Sequence, residues 1–411
     1  MKYVVLLCDG MADVAHADLQ GKTPMEAAYK PTMDALAARS KVGMSFTVPE
    51  GLSPGSDVAN LSVLGYRPLE CYTGRSPLEA ANIGIDLADD DVALRCNLVT
   101  LSENEPYEQK VMEDYCAGDI HTEQADEIIR TVQQAFGGGE FDFYTGTAYR
   151  HCLVWHKGKT AIGKLTPPHD ISGQVIGEHL MAHPDAAPLL DMMKRSTKLL
   201  ANHPINDQRR RDGKNPANAI WLWGHGSRPA LQNFEARFNV KGAMVSAVDL
   251  LKGIARLTGM TVCEVEGATG YLDTNFVGKR QAAVNALANG HDFVYIHVEA
   301  PDECGHRAET ENKVLSVEKI DAEILRPVFD YLAGTGEDFR VMVLPDHPTP
   351  VRLRTHTSLP VPFFIWSSDK RRDGAERFTE ETAAKKQFYL PYGYRLMDLL
   401  LNPDSEVNTH E

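Results

Sequence analysis

Asp302 and His306 stand four residues apart in Asp302-Glu303-Cys304-Gly305-His306, directly after the apolar run Phe293–Val298. A carboxylate and an imidazole at that spacing can turn toward one divalent ion, and both suit Zn²⁺ or Mn²⁺. The plainer reading is a turn aspartate and a helix-start histidine. Asp346-His347 follows the run Val341–Leu344, with Pro345 and Pro348 on either side. Adjacent residues face different ways unless the backbone turns sharply, which flanking prolines favour; a polar loop is the alternative. His356 lies in a proline-rich loop before Phe363–Trp366, where a lone histidine is ordinarily just solvated. Asp9 ends the first apolar run, Val4–Cys8.

Ser56 occurs in Leu52-Ser53-Pro54-Gly55-Ser56-Asp57-Val58-Ala59-Asn60-Leu61, at the N-cap position of a helical pattern. Serine is a common cap. A helix N-terminus also favours an anion, so an alkoxide or a phosphoserine would be stabilised there, and a metal ion on the oxygen would lower its pKa further. Taken together, Asp9, Ser56, Asp302, His306, Asp346, His347 and His356 are ligands enough for two divalent ions with a serine between them.

Such residues need strand ends to bring them together. The short apolar runs Val4–Cys8, Ala219–Trp223, Phe293–Val298, Val341–Leu344 and Phe363–Trp366 read as buried strands, and they alternate with helical patterns over Met244–Leu257 and Asn312–Leu325. That alternation is an α/β signature, and ligands of open α/β sheets bind beyond the carboxyl ends of strands. The stretch from about 75 to 219 mixes shorter apolar runs with polar turns and reads as a second domain inserted into the first. Residues 1–74 and 220–411 then form the metal-binding catalytic domain. Arg209–Arg211 reads as a solvated loop, Ser367–Ala384 as a surface excursion, Asn402–Glu411 as a frayed tail, and Gly137–Gly139 as a turn. His297 lies on a strand face and reads as a satisfied core histidine.

Composition bounds the function. The 411 residues suggest two to three domains, and 43% hydrophobic with 24% charged residues excludes a mainly disordered chain. The net charge of −15 disfavours a nucleic-acid partner and requires that an anionic substrate meet local cations. Seven cysteines, an odd number without a CxxC pair, argue against a disulfide framework or zinc ribbon and suit a reducing cytoplasm. No apolar run approaches the roughly 18 residues of a membrane span.

The order Asp-Gly, Pro-Gly-Ser-Asp-x-Ala-Asn-Leu, Asp-x-x-x-His, Asp-His and Thr-His-Thr-x-x-Pro-Val-Pro resembles the metalloenzymes of the alkaline phosphatase superfamily. Within it, the chain resembles the archaeal-type 2,3-bisphosphoglycerate-independent phosphoglycerate mutases. Further matching segments are Tyr72–Ala80, Tyr149-Arg150-His151, Pro167–Asp170, Trp221–Gly224, and Gly267–Tyr271 with Lys279. The resemblance implies an alkaline-phosphatase-like central sheet flanked by helices, with a smaller α+β cap inserted at 75–219. It implies that Asp302, His306 and His356 hold one ion, and that Asp9, Ser56, Asp346 and His347 hold the other. Mn²⁺ is the first expectation, with Zn²⁺ or Co²⁺ as alternatives, and no 2,3-bisphosphoglycerate is required. Ser56 would be the phosphorylated nucleophile and Lys279 would stabilise the transferring phosphoryl group. Arg150 and His151, with Arg75 and His169, would bind the small phosphorylated metabolite. The implied reaction interconverts 3-phosphoglycerate and 2-phosphoglycerate in the cytoplasm. Gly74-Arg75-Ser76-Pro77 also resembles a bacterial branch proposed to phosphorylate homoserine, so a phosphotransferase acting on a small alcohol is the alternative. A phosphate-releasing hydrolase and a non-catalytic metal-binding protein are the others. His121 receives no role, and the oligomeric state is not read from the sequence.

Overall fold

The structure is a computed structural model that describes residues 1–404. The tail expected over 402–411 therefore lies, from residue 405 on, outside the described residues. The strands are, in chain order, β1 (Lys2–Cys8), β2 (Lys41–Ser45), β3 (Val92–Leu101), β4 (Met112–Asp114), β5 (Phe141–Thr147), β6 (Arg150–Trp155), β7 (Ala219–Ser227), β8 (Gly242–Val245), β9 (Thr261–Cys263), β10 (Phe293–Val298), β11 (Phe339–Leu344), β12 (Val361–Ser367) and β13 (Tyr389–Leu390). The chain divides into two compact units, Met1–Tyr72 with everything from Ala230 onward, and Thr73–Pro229.

The first unit is built on an eight-stranded sheet in the order β13-β2-β12-β11-β1-β10-β8-β9. Its centre is parallel: β1 runs beside β10 and β11, and β8 continues beside β10. The antiparallel strand β12 turns the far side. Val4, Leu6, Ile296 and Val343 are buried, as continuous apolar runs must be where helices cover both faces. Each such side chain contributes roughly 1.5–3 kcal/mol by leaving water. Because β1, β10 and β11 are parallel, their carboxyl ends lie side by side. Asp9, Glu299 and Asp346 follow those three ends, and Asp302 sits on the short helix Ala300–His306 that continues from β10. The α/β class with a helix-flanked central sheet is thus what the chain adopts.

The second unit is an antiparallel sheet, β4-β3-β6-β5 with β7 also paired to β3, packed with the helices Thr122–Phe136 and Ala187–Leu200. Here the strand expected over Ala219–Trp223 changes owner. It is the start of β7, and it pairs along β3 from Val99↔Ala219 to Val92↔Ser227. The return boundary therefore falls at 229/230 rather than 219/220. An apolar run reports burial, not which sheet buries it.

Three further expectations are corrected. The helix expected over Met244–Leu257 begins at Asp249, and Met244 and Val245 finish β8. Arg209 is not in a solvated loop. It lies on the helix Pro204–Arg211, is 1% exposed, and donates to the carbonyls of Asn215 and Ala117 and to Gln124. The excursion Ser367–Ala384 is anchored by the buried Ala375, Phe378 and Ala383. Among the described residues no helix is long and apolar enough to cross a membrane.

Candidate active site

All seven side chains expected to hold ions belong to the first unit, and the fold brings them together. Asp9 leaves β1 through Gly10, whose φ is +61°. A Cβ there would lie 2.6 Å from the Asp302 Cα, so only glycine lets the two strand-end turns approach so closely. The Gly10 amide donates to Asp346 Oδ1 at 3.1 Å, and the His347 amide donates to the same oxygen at 2.9 Å. This is the sharp turn that lets the adjacent Asp346 and His347 serve one site.

Ser56 is the first residue of the helix Ser56–Val63, with Gly55 as its N-cap; it is not the cap itself. Its hydroxyl is spent elsewhere: Oγ lies 3.3 Å from Asp9 Oδ2 and 3.3 Å from His347 Nε2. His347 Nε2 is also 3.4 Å from Asp346 Oδ2. On the other side, His306 Nε2 lies 3.2 Å from Asp302 Oδ2 and 2.9 Å from His356 Nε2, and His356 Nε2 is 3.5 Å from Asp302 Oδ1. Donor atoms converge closely enough for one ion in two groups, Asp302–His347–His356 and Asp9–Asp346–His347. His347 therefore stands between the two.

Each imidazole is anchored through its other nitrogen: His306 Nδ1 to the Arg354 carbonyl at 3.0 Å, His356 Nδ1 to the Pro54 carbonyl at 3.3 Å, and His347 Nδ1 to Thr349 Oγ1 at 3.2 Å. Anchoring of this kind fixes the tautomer that offers Nε2 inward. Thr349 also donates to Asp302. The fully buried Lys313 holds this loop through the Thr349 carbonyl at 2.8 Å and Asp13 at 2.9 Å.

The donor set fits cations. Among the described residues Asp9 Oδ1 is buried without a hydrogen-bond partner, an arrangement that costs several kcal/mol unless a positive charge meets it. Burial, then the charges of Asp346 and Asp302, pushes the Asp9 carboxyl well above its ordinary range. Burial would raise Asp302 too, but His306 and His356 outweigh it and hold it low. Burial opposes a charge on His306, yet Asp302 lifts its pKa to about 9. A positive charge, whether proton or metal ion, is what this corner requires.

Lys279 is fully buried, and its ammonium donates to the His297 carbonyl at 3.1 Å. Burial lowers its pKa to about 8, against the pull of Glu299 and Asp9. Among the described residues no hydrogen bond joins it to Ser56. His297 is satisfied and buried, as expected of a core histidine, but one of its partners is Asp9.

The four expected substrate residues belong to the second unit. Arg75 and Arg95 both meet Glu79, at 2.8 and 2.9 Å. Burial would raise Glu79, but Arg95, Arg75 and Arg150 hold it low. Arg95 stacks on Trp223, His169 contacts Trp223 and Tyr115, and Tyr115 contacts Tyr149, over which Arg150 lies. Three guanidiniums around one carboxylate, with an aromatic ring of contacts, can take an anion. Arg150 Nε is buried without a partner among the described residues. His151 is 4% exposed, accepts the Gly146 amide at Nδ1, and keeps a buried Nε2 with no hydrogen-bond partner among the described residues. Sequence reasoning missed Arg95, Thr349, Lys313 and Asp13, and named Trp223 only within a strand and a matching segment, without a role. Arg95 alone carried a signal, as a charge inside the apolar strand β3.

The chain is similar to known proteins over nearly its whole length. Residues 37–206 match a family model described as 2,3-bisphosphoglycerate-independent phosphoglycerate mutase. A probable 2,3-bisphosphoglycerate-independent phosphoglycerate mutase of Geobacter sulfurreducens is 49% identical over 98% of this chain and 100% of its own length. A 2,3-bisphosphoglycerate-independent phosphoglycerate mutase of Methanosarcina barkeri is 46% identical over 98% and 99%. Among solved structures, a Pyrococcus horikoshii protein matches with a TM-score of 0.80 at 29% identity, covering 99% of each chain. The cofactor-independent phosphoglycerate mutase of Thermoplasma acidophilum matches with a TM-score of 0.66 at 26% identity, covering 98% and 100%.

Proposed function

The chain belongs to the 2,3-bisphosphoglycerate-independent phosphoglycerate mutases, and on that premise we propose that it interconverts 3-phosphoglycerate and 2-phosphoglycerate through a phosphorylated Ser56. The observation that carries the reading is Ser56 Oγ at 3.3 Å from both Asp9 Oδ2 and His347 Nε2, beside an Asp9 oxygen with no hydrogen-bond partner among the described residues.

Divalent ions held by Asp302, His306 and His356 and by Asp9, Ser56, Asp346 and His347, Mn²⁺ first and Zn²⁺ or Co²⁺ after it, would neutralise the phosphoryl oxygens and acidify the serine hydroxyl. The chain's own residues do the rest. The Ser56 hydroxyl donates toward Asp9 Oδ2, so its proton departs along that bond as Oγ attacks phosphorus. The bond from phosphorus to the 3-oxygen of the substrate breaks, and that oxygen takes up the proton that Ser56 released to Asp9. The glycerate turns, its 2-hydroxyl gives its proton to Asp9 as it attacks the phosphoserine, the bond from phosphorus to Ser56 Oγ breaks, and that proton returns to Ser56. The phosphoryl group is stored on the enzyme, so 2,3-bisphosphoglycerate has no part. Lys279 adds positive charge behind Asp9. Arg75, Arg95 and Arg150 of the second unit, with His151 and His169, are the proposed binders of the anionic metabolite, and the unit's proposed role is that of a substrate-binding cap. The seven cysteines and a diffusible substrate support a cytoplasmic location.

The test is a substrate-resolved assay on metal-stripped protein resupplied with single ions. Isomerisation of 3-phosphoglycerate, phosphate trapped on Ser56 and loss of turnover in Ser56→Ala are expected. Retained mutase activity in Ser56→Ala would overturn the mechanism. Phosphohomoserine formation without isomerisation would decide for the alcohol-phosphorylating alternative, and free phosphate outpacing isomer for a hydrolase.

A further inference from the structure

Asn60 stands one turn beyond Ser56 on the helix Ser56–Val63 and is fully buried. Its amide nitrogen donates twice, to the Ser56 carbonyl at 2.8 Å and to Asp346 Oδ2 at 2.9 Å. Its amide oxygen accepts from the Tyr295 hydroxyl at 2.6 Å. Both amide hydrogens and the acceptor are therefore used, and the amide has one workable orientation. Reversed, its oxygen would face the Asp346 carboxylate and the Ser56 carbonyl, and its nitrogen would face a hydroxyl that must then turn its own hydrogen away. Tyr295 is itself fully buried on β10. One side chain thus joins three pieces of chain: the helix that carries Ser56, the turn after β11 that carries Asp346, and the central strand β10.

We propose that Asn60, oriented by Tyr295, is a positioning residue that locks the backbone of Ser56 to the Asp346 carboxylate. The inference rests on the reading of Ser56 and Asp346 given above. Its physical basis is the change of charge on the serine. A phosphoserine carries about −1.5 to −2 charges, which repel Asp346. Asp346 is held on Oδ1 by the amides of Gly10 and His347, and the Asn60 donor on Oδ2 fixes its other oxygen. The same nitrogen holds the start of the serine helix. Nucleophile and ion ligand then keep one spacing as the phosphoryl group arrives and leaves, which is what preorganised transfer requires.

Two variants of the full chain test this. Asn60→Asp is nearly isosteric, removes both donors and sets a second carboxylate against Asp346. Tyr295→Phe leaves Asn60 in place and removes only the hydroxyl that orients it. The first is expected to weaken Mn²⁺ binding, read by calorimetric titration, by about 10–100-fold, the usual cost of losing a partner behind a ligand. It should lower kcat by a similar factor with little change in KM for phosphoglycerate. Tyr295→Phe should move both quantities in the same direction by about 3–10-fold. Should Asn60→Asp fail to fold, Tyr295→Phe decides alone. A merely structural role would lower Tm and leave Mn²⁺ affinity and kcat at wild-type values, and that result overturns the proposal. The titration needs no substrate. Wild-type protein that fails to isomerise phosphoglycerate, while the variants still lose Mn²⁺ affinity, would sink the mutase reading and leave the tie standing.

Discussion

The His297 ring and the Asp9 carboxylate are buried against each other, Nε2 to Oδ2 at 2.8 Å, and neither reaches solvent. Burial, with Lys279 nearby, lowers the His297 pKa to about 3, so the ring is neutral. Nε2 then carries the hydrogen that Asp9 accepts, and Nδ1 takes the Ser246 hydroxyl at 3.1 Å. Ser246 is held in turn by the Val248 amide at 3.0 Å. The chain of bonds aims Asp9 at Ser56.

Replacing that ring with His297→Leu is expected to weaken Mn²⁺ binding about 10–100-fold. His297→Gln, which can return a donor to Asp9, should recover part of the loss. Equal affinities in both variants and wild type, by titration, would show that Asp9 needs no such partner.

Removing divalent ions should destabilise the first unit, because converging acids lose their counter-charge. Mn²⁺ at a hundred times its Kd adds about 2.7 kcal/mol. For a unit of this size that is roughly 5–10 °C in Tm. A melting curve indifferent to chelator and to Mn²⁺ would contradict two ion sites among these side chains.

Arg150→Ala tests the second unit. Arg150 is one of three guanidiniums around Glu79, and its loss removes positive charge without touching any proposed ion ligand. A charge-assisted contact is worth about 1.5–3 kcal/mol, so KM for phosphoglycerate should rise about 10–100-fold while Mn²⁺ affinity stays put. An unchanged KM would assign the cluster to structure alone.

Stability should also depend on pH through Glu380. Its carboxylate takes the Thr23 hydroxyl at 2.8 Å and the Asp13 amide at 3.1 Å, with Lys313 and Lys30 nearby. Burial nevertheless raises its pKa from 4.5 to about 7. Between those values the folded chain holds a proton that the unfolded chain has released, so stability falls as pH rises through this window. The contribution is present in full below about pH 4.5 and gone above about pH 7. Glu380→Gln should therefore raise Tm more at pH 8 than at pH 5. An equal shift at both pH values would rule out Glu380 as the titrating group.

Much of this site is legible along the chain because its ligands follow strand ends. Asp9, Asp302 and Asp346 stand just past apolar runs that must be buried, and parallel strands put such ends side by side. The supporting residues were harder. Tyr295 and His297 alternate on β10, so two polar groups fall on one face of a strand whose neighbours are apolar. That period-two stripe was a readable signal of a buried polar network, though not of its partners.

By itself, the order of residues determined the chemistry on offer: hard and borderline ligands after strands, a serine at a helix start, and a family pattern spanning the chain. Tertiary structure alone decided who meets whom. His347 stands between the two ligand groups, Asn60 reaches Asp346 across 286 positions, and β7 joins the second sheet. Contacts so distant in sequence leave no local pattern. They arise only when burial of apolar strands fixes the register, and buried polar groups must then find each other or go unpaired.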